Sequence, residues 1–303
     1  METAFSGLEN PRPPMYKPGK SSKGGFSALM KKYDQDRLMG MGLSEKIRQA
    51  KAVLREALDK FGPKHTALAW TGGKDSTAAL WLMRETAREA GVSMPKAVFI
   101  DEGDAFEEVR AFVREVREKW GLDLTVARNS DPALQGKRVG DLIPVAGLGA
   151  STRAELQRLD FREPEFPFDP ESRVGTHLMK TVVLNEFLES AQTRALVTAI
   201  RWDEHPAREN EAFLSPRKDP AHTRVHPLLH FTERDVWNLI LEENIPFCPL
   251  YGRGYRSLGT RSGTVKQVDV PAWDQDLENT PERGGRNSEK EQILAQLRSL
   301  GYM

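Results

Sequence analysis

Apolar residues first fall into a helical rhythm after Ser44. Ile47, Ala50, Leu54, Leu58 and Phe61 recur at spacings of three and four, which predicts an amphipathic helix with Ser44 as its cap. The rhythm then shortens to TALAW (66–70), a compact apolar run of the kind a buried strand shows. TAALWLMRETAREAG returns to helical spacing and stops at Gly91. KAVFID (96–101) and DLTVAR (123–128) predict two more strands, separated by the amphipathic helix FEEVRAFVREVREKWG (106–121). Further along, THLMKTVVLNEFLES (176–190) predicts a helix and RALVTAI (194–200) a fourth strand. TERDVWNLILEEN (232–244) and SEKEQILAQLRSLG (288–301) predict helices capped by Thr232 and Ser288. Leu80, Met83 and Ala87 on one helix, and Trp237 and Leu241 on another, are expected in the core.

Strands that alternate with helices predict an α/β fold: a doubly wound, mostly parallel sheet with helices on both faces. Two stretches break the order. Residues 129–175 carry Pro and Gly throughout, including REPEFPFDPES, and read as a long loop of the kind that forms lids or plain surface. Residues 1–25 include NPRPPMYKPGKSSKGG, which is too rich in Pro, Gly, Ser and Lys to pack. The expected organisation is a flexible arm over 1–42, a nucleotide-binding α/β domain over 43–245, and a C-terminal segment over 246–303 that closes over the site.

Charge and cysteine content narrow the function classes. Lys+Arg and Asp+Glu balance at 44 each, so no global field draws the protein to nucleic acid or to an anionic membrane. No run approaches the roughly 18 consecutive apolar residues of a membrane span, and the polar, Pro-rich start lacks the apolar centre of a secretory signal. One cysteine, Cys248, excludes an internal disulfide and any multi-cysteine metal site within the chain. A cytoplasmic protein is expected.

The chemistry concentrates in Thr71-Gly72-Gly73-Lys74-Asp75-Ser76-Thr77, between the first strand and its helix. Two glycines let backbone approach an anion closely, and the N–H groups of the turn and helix start are expected to face it. Lys74 adds a positive charge, Ser76 a hydroxyl, and Asp75 a carboxylate that could touch Mg²⁺. A Walker A loop would need glycine where Leu68 stands and Ser or Thr where Asp75 stands, and the dinucleotide fingerprint would need a third glycine. A second cluster, Arg201-Trp202-Asp203-Glu204-His205-Pro206-Ala207-Arg208, follows the fourth strand, where parallel sheets form their ligand crevice. Arg201 and Arg208 suit the planar grip of phosphate or sulfate oxygens, with Asp203 and Glu204 to orient them or to hold Mg²⁺. Cys248, inside the apolar IPFCPLY, reads as an inert core thiol. His177, His205, His222, His226 and His230 show no tight ligand spacing, and Pro227 keeps His226 and His230 off a common helix.

The 71–77 loop resembles the S-G-G-K-D-S loop of the pyrophosphate-loop family, with Thr in the first place. The 201–211 element resembles the R-x-D-E-x-x-x-R-x-x-E of the small, ATP-binding subunit family of bacterial sulfate adenylyltransferases. Asp101 and Gly103, THLMKT (176–181), HPLLHFTERDVWNLILEENIPFCPLY (226–251), TPERGGR (280–286) and Gly301-Tyr302 match it in the same order. Tyr255-Arg256-Ser257-Leu258-Gly259 also resembles a loop of the phosphoadenylylsulfate reductases. The chain departs from both at TRSGTVKQVDVPAW (260–273), and it lacks an insertion that the adenylyltransferase subunit carries before that loop. The resemblance implies ATP with Mg²⁺ as the nucleotide, sulfate as acceptor and a GTPase partner subunit. It further implies a nucleotide-contacting role for Asp101, Arg283 and Arg286, and a strand at His226-Pro227-Leu228. Two alternatives stay open: a reductase relative without its C-terminal catalytic cysteine, and a non-catalytic adenine-nucleotide regulator.

Overall fold

Each predicted strand of the first half pairs beside the next. Helix α1 (Leu43–Phe61) leads through a short turn into β1 (Thr66–Ala69), followed by α2 (Lys74–Ala90), β2 (Lys96–Ile100), α3 (Glu107–Trp120) and β3 (Leu124–Ala127). Gly91 and Gly121 close α2 and α3 in the left-handed conformation that an L side chain resists. The computed structural model describes residues 34–286. Residues 1–33 of the expected arm, and the helix expected over 288–301, therefore lie outside the described residues. Met39–Met303 form one unit and Met1–Leu38 another.

The middle of the chain is more ordered than its Pro and Gly content suggests. It holds β4 (Leu142–Pro144), α4 (Ala150–Arg158) and β5 (Glu165–Pro167), then α5 (Arg173–Thr176), a π-helical turn (His177–Thr181) and α6 (Val182–Ser190). β4 and β5 form a two-stranded antiparallel ribbon. Ile143, Phe166, Phe168, Leu156, Leu178 and Met179 pack into a small core of their own. The expected loop is thus a packed subdomain, stapled by apolar residues too scattered to show a period.

β6 (Ala195–Val197) is followed by β7 (Leu214–Lys218), β8 (Ala221–Val225) and α7 (Glu233–Glu242). The strand order is β3-β2-β1-β6-β8-β7, all parallel except β7 against β8. Period-two alternation assigns the faces. Leu68, Ala97, Phe99, Ala195 and Val197 point to a large core with α1, α2, α3 and α7. Ala67, Val98 and Leu196 point to the opposite face, where Phe187 and Leu188 of α6 cover them. A parallel sheet covered on both sides is the expected doubly wound arrangement.

Four local expectations are corrected. Gly42, not Ser44, precedes α1, which begins at Leu43 so that this residue packs on the core. α2 begins at Lys74, so half of the glycine loop motif is helix. The strand expected at His226 ends at Val225, and its antiparallel partner β7 was not anticipated. Trp237 is buried, but Leu241 is 46% exposed, because the buried face of α7 runs through Val236, Leu239 and Ile240. Thr232 caps α7 as expected, in a capping box with Asp235. Leu80, Met83 and Ala87 are buried. Among the described residues no helix is long and apolar enough to cross a membrane.

Candidate functional site

The strand order reverses between β1 and β6, and the loops leaving those two strands carry both sequence clusters. A crevice at that point, beyond the carboxyl ends of the strands, is where open parallel sheets bind ligands. Gly72 makes the turn possible. Its φ of +75° suits glycine, and a Cβ there would sit 3.0 Å from Val109 Cγ1 of α3.

Much of the loop's polarity is spent on holding its own shape. Ser76 Oγ accepts the Thr71 N–H at 3.2 Å and donates to the Gly73 carbonyl at 3.0 Å. Thr71 Oγ1 accepts the Gly73 N–H at 3.3 Å. Trp70 Nε1 donates to Thr77 Oγ1 at 3.0 Å, locking the strand end to the helix start. The Lys74 N–H, the first of α2, donates to the Tyr251 hydroxyl at 2.8 Å. The amides of Thr71, Gly73 and Lys74 are thus taken up within the protein.

The side chains build a buried charge cluster. Lys74 is 1% exposed and Arg201 fully buried. One oxygen of Glu282 accepts from Lys74 Nζ and the other from Arg201 Nη2. Arg201 also donates to Asp75 through Nη1, and to Asp203 Oδ1 through Nε at 2.9 Å. Asp203 uses its second oxygen to accept the Glu233 N–H at 2.9 Å, at the start of α7. Glu233 in turn accepts from Arg256 Nη2 at 2.8 Å and lies 3.6 Å from Lys74 Nζ. Burial alone would raise the Glu282 carboxyl, but the charges of Arg201 and Lys74 hold it well below the usual carboxylate range. Burial works against the Arg201 charge as well, and Glu282, Asp203 and Glu233 overcome it and raise its pKa.

A second group stands at the mouth. Glu204 pairs with Arg208 through one oxygen and accepts from Arg283 Nη1 at 3.0 Å through the other. Both groups border a cavity of about 700 Å³ lined by Asp203, Glu204, Glu233, Arg256, Glu282 and Arg283. Two expected members lie elsewhere. Asp101, past β2, takes a bidentate pair from Arg110 at 2.5 and 2.8 Å beside a separate cavity of about 220 Å³. Arg286 donates to Thr264 Oγ1 at 3.2 Å.

Asp75, expected to touch Mg²⁺, has one oxygen on Arg201 and the other 3.2 Å from Lys74 Nζ. No group of three His, Cys, Asp or Glu among the described residues could hold a metal ion. Glu282, Glu233, Arg256 and Tyr251 are the residues that sequence reasoning missed. All lie inside or beside segments already singled out, but a search for cations to grip an anion passes over a glutamate.

Residues 65–141 and 151–266 match the model of the phosphoadenosine phosphosulfate reductase domain. The chain belongs to that family. Among curated relatives, sulfate adenylyltransferase subunit 2 of Rhizobium sp. (strain BR816) is 29% identical, over 72% of this chain and 70% of the relative. The subunit 2 of Myxococcus xanthus (strain DK1622) is 28% identical, over 75% and 72%. The fold is that of the Candida glabrata FMN adenylyltransferase solved with FMN and the ATP analogue AMPCPP, at TM-score 0.55 and 20% identity over 91% of this chain and 92% of that one. It is also that of the Candida auris phosphoadenylyl-sulfate reductase in its phosphate complex, at TM-score 0.52 and 15% identity over 82% and 100%. Cys248 is the chain's one cysteine. It is fully buried, and burial pushes its thiol up to about 11.

Proposed function

We propose that this chain is an adenylyltransferase that joins the α-phosphoryl of ATP to an oxyanion, sulfate in the first place, and releases pyrophosphate. One observation carries the reading: Lys74, the first residue of α2, and Arg201, in the loop after β6, converge on a single anionic group. A seat of two preorganised cations at a helix N-terminus suits the β- and γ-phosphates of a nucleotide. Relatives named sulfate adenylyltransferase subunit 2 support the choice of acceptor.

In the reaction an oxygen of the acceptor attacks the α-phosphorus, and the bond to the bridging oxygen of the β-phosphate breaks. Lys74 and Arg201 neutralise charge growing on the departing pyrophosphate. Arg208 and Arg283, gathered by Glu204 at the mouth, orient the acceptor or the α-phosphoryl. Such catalysis works by positioning and charge neutralisation, without a covalent intermediate. Asp101 and the smaller cavity beside it receive the nucleoside end. Mg²⁺ fits as the counter-ion that the triphosphate brings with it, since Asp75 is already held by two cations. A GTPase partner subunit and a cytoplasmic setting complete the proposal.

The test is exchange of labelled pyrophosphate into ATP, run on the full chain with sulfate, selenate, molybdate and phosphate, alone and with the partner. Sulfate-dependent exchange is expected. No exchange with any oxyanion, together with no ATP binding in calorimetry, would remove the reading.

A further inference from the structure

The seat that Lys74 and Arg201 make is already filled, by the carboxylate of Glu282. This side chain comes from far along the sequence, on a four-residue turn (Glu282–Gly285) of an otherwise irregular segment. It bridges both cations with its two oxygens, as a phosphate would. Its side chain is 8% exposed and borders the about 700 Å³ cavity, which neither Lys74 nor Arg201 lines.

The connected cluster has three cations, Lys74, Arg201 and Arg256, and four carboxylates, Asp75, Asp203, Glu233 and Glu282. A polyphosphate added to that set meets net negative charge in a buried place, where repulsion is weakly screened. With Glu282 withdrawn, the count is three against three and both cations regain an open side.

The attachment of the segment lets this happen locally. Arg256 anchors it by donating to the carbonyls of Asp276 at 3.2 Å and Leu277 at 3.1 Å, and to Thr280 Oγ1. This anchor lies before Pro281. At the far end of the turn the Val265 N–H donates to the Gly285 carbonyl at 2.9 Å, and Thr264 bridges Arg286. The swing that withdraws Glu282 is therefore confined to 281–284, between two fixed ends. Arg283, the next residue, is tied to Glu204 at the mouth, which couples the swing to the second charged group.

We propose that Glu282 is a resident competitor for the anion seat, and that a polyphosphate binds by driving Glu282 and its turn off Lys74 and Arg201. This rests on the reading of the 71–77 loop as a phosphate site and adds how access to it is controlled. The plugged state lowers apparent affinity by the fraction of molecules open at any moment.

The experiment is calorimetric titration of the full chain with inorganic pyrophosphate, for wild type and Glu282→Gln, and hydrogen exchange of peptides covering 276–286 with and without pyrophosphate. Glu282→Gln is expected to bind about tenfold more tightly, and the 282–284 amides of wild type to exchange faster once pyrophosphate is bound. Unchanged or weaker affinity in the variant overturns the proposal. So does slower exchange on binding, which would make the segment a strap that closes over the ligand. Should Glu282→Gln fail to fold, the wild-type exchange decides alone. If wild type binds pyrophosphate but either result fails, only the competitor role falls; if neither form binds, the phosphate site falls with it.

Discussion

Tyr251 and Lys74 are 177 positions apart, yet the Tyr251 hydroxyl accepts the Lys74 backbone N–H at 2.8 Å. That amide begins α2, where no helical carbonyl is available to take it. Tyr251 therefore fixes the end of the glycine loop to the IPFCPLY segment. Tyr251→Phe leaves a buried donor without its acceptor and is expected to cost about 1–3 kcal/mol, read as a lower denaturation midpoint. Burial pushes the Tyr251 hydroxyl from 10 up to about 12, so its contribution is complete below pH 10 and is lost as pH rises toward 12. The Phe variant should lack that alkaline component, which burial of the hydroxyl produces; an unchanged midpoint at neutral pH would mean the bond stabilises nothing.

Acid should weaken the fold through His230. Its Nε2 donates to the Lys46 carbonyl at 3.1 Å, and the ring packs edge-on against Phe213 and Phe231. Burial pushes its pKa from 6.5 down to about 4. The unfolded chain takes up the proton first, so this stability is present above pH 6.5 and is lost as pH falls toward 4. The loss from this one group comes to about 3 kcal/mol. His177, His222 and His226 shift in the same direction, also led by burial. Urea midpoints at pH 7, 5.5 and 4.5 should fall in order, and fall less steeply in His230→Gln.

Cys248→Ser should separate stability from chemistry. The side chain is fully buried in the large core, so a hydroxyl there costs about 1–3 kcal/mol. Turnover per folded molecule should be unchanged. A thermally intact variant that had lost turnover would make the thiol a participant.

How far the sequence discloses this molecule follows from where its information is local. β1, β2 and β3 are short apolar runs bounded by turns, and the 71–77 loop is contiguous, so both were legible. β7 was not, because LSPRK is largely polar and carries Pro216, which an edge strand tolerates. The 129–179 core was hidden for a different reason: Phe166 and Phe168 stand singly between Pro and acidic residues. Leu241 shows the limit of spacing alone, since i and i+4 share a face only broadly and the buried stripe went the other way. Glu282 is the deepest case. Nothing local says that a glutamate 208 positions from Lys74 will sit on it; that follows from the tertiary fold alone.

Lys74 and Arg208 distinguish the two charged groups in function. Lys74→Ala removes one of the two cations of the seat and is expected to cut pyrophosphate release by a factor on the order of 100–1000. Arg201 still holds Glu282 in that variant, which limits the loss of stability. Arg208→Lys keeps a positive charge within reach of Glu204, so the mouth should stay assembled. An ammonium cannot reproduce a planar, two-pronged grip, so turnover should remain low if Arg208 orients the acceptor or the α-phosphoryl. The two variants should then differ in ligand binding. Lys74→Ala should weaken pyrophosphate binding, while Arg208→Lys should leave it near wild type and lose rate with saturating ATP and sulfate. Melting temperature, pyrophosphate titration and turnover on the same preparations give the comparison. Full activity in Lys74→Ala would take the 71–77 loop out of the mechanism. Full activity in Arg208→Lys would remove only the mouth, and leave a phosphate seat whose acceptor is oriented by other residues.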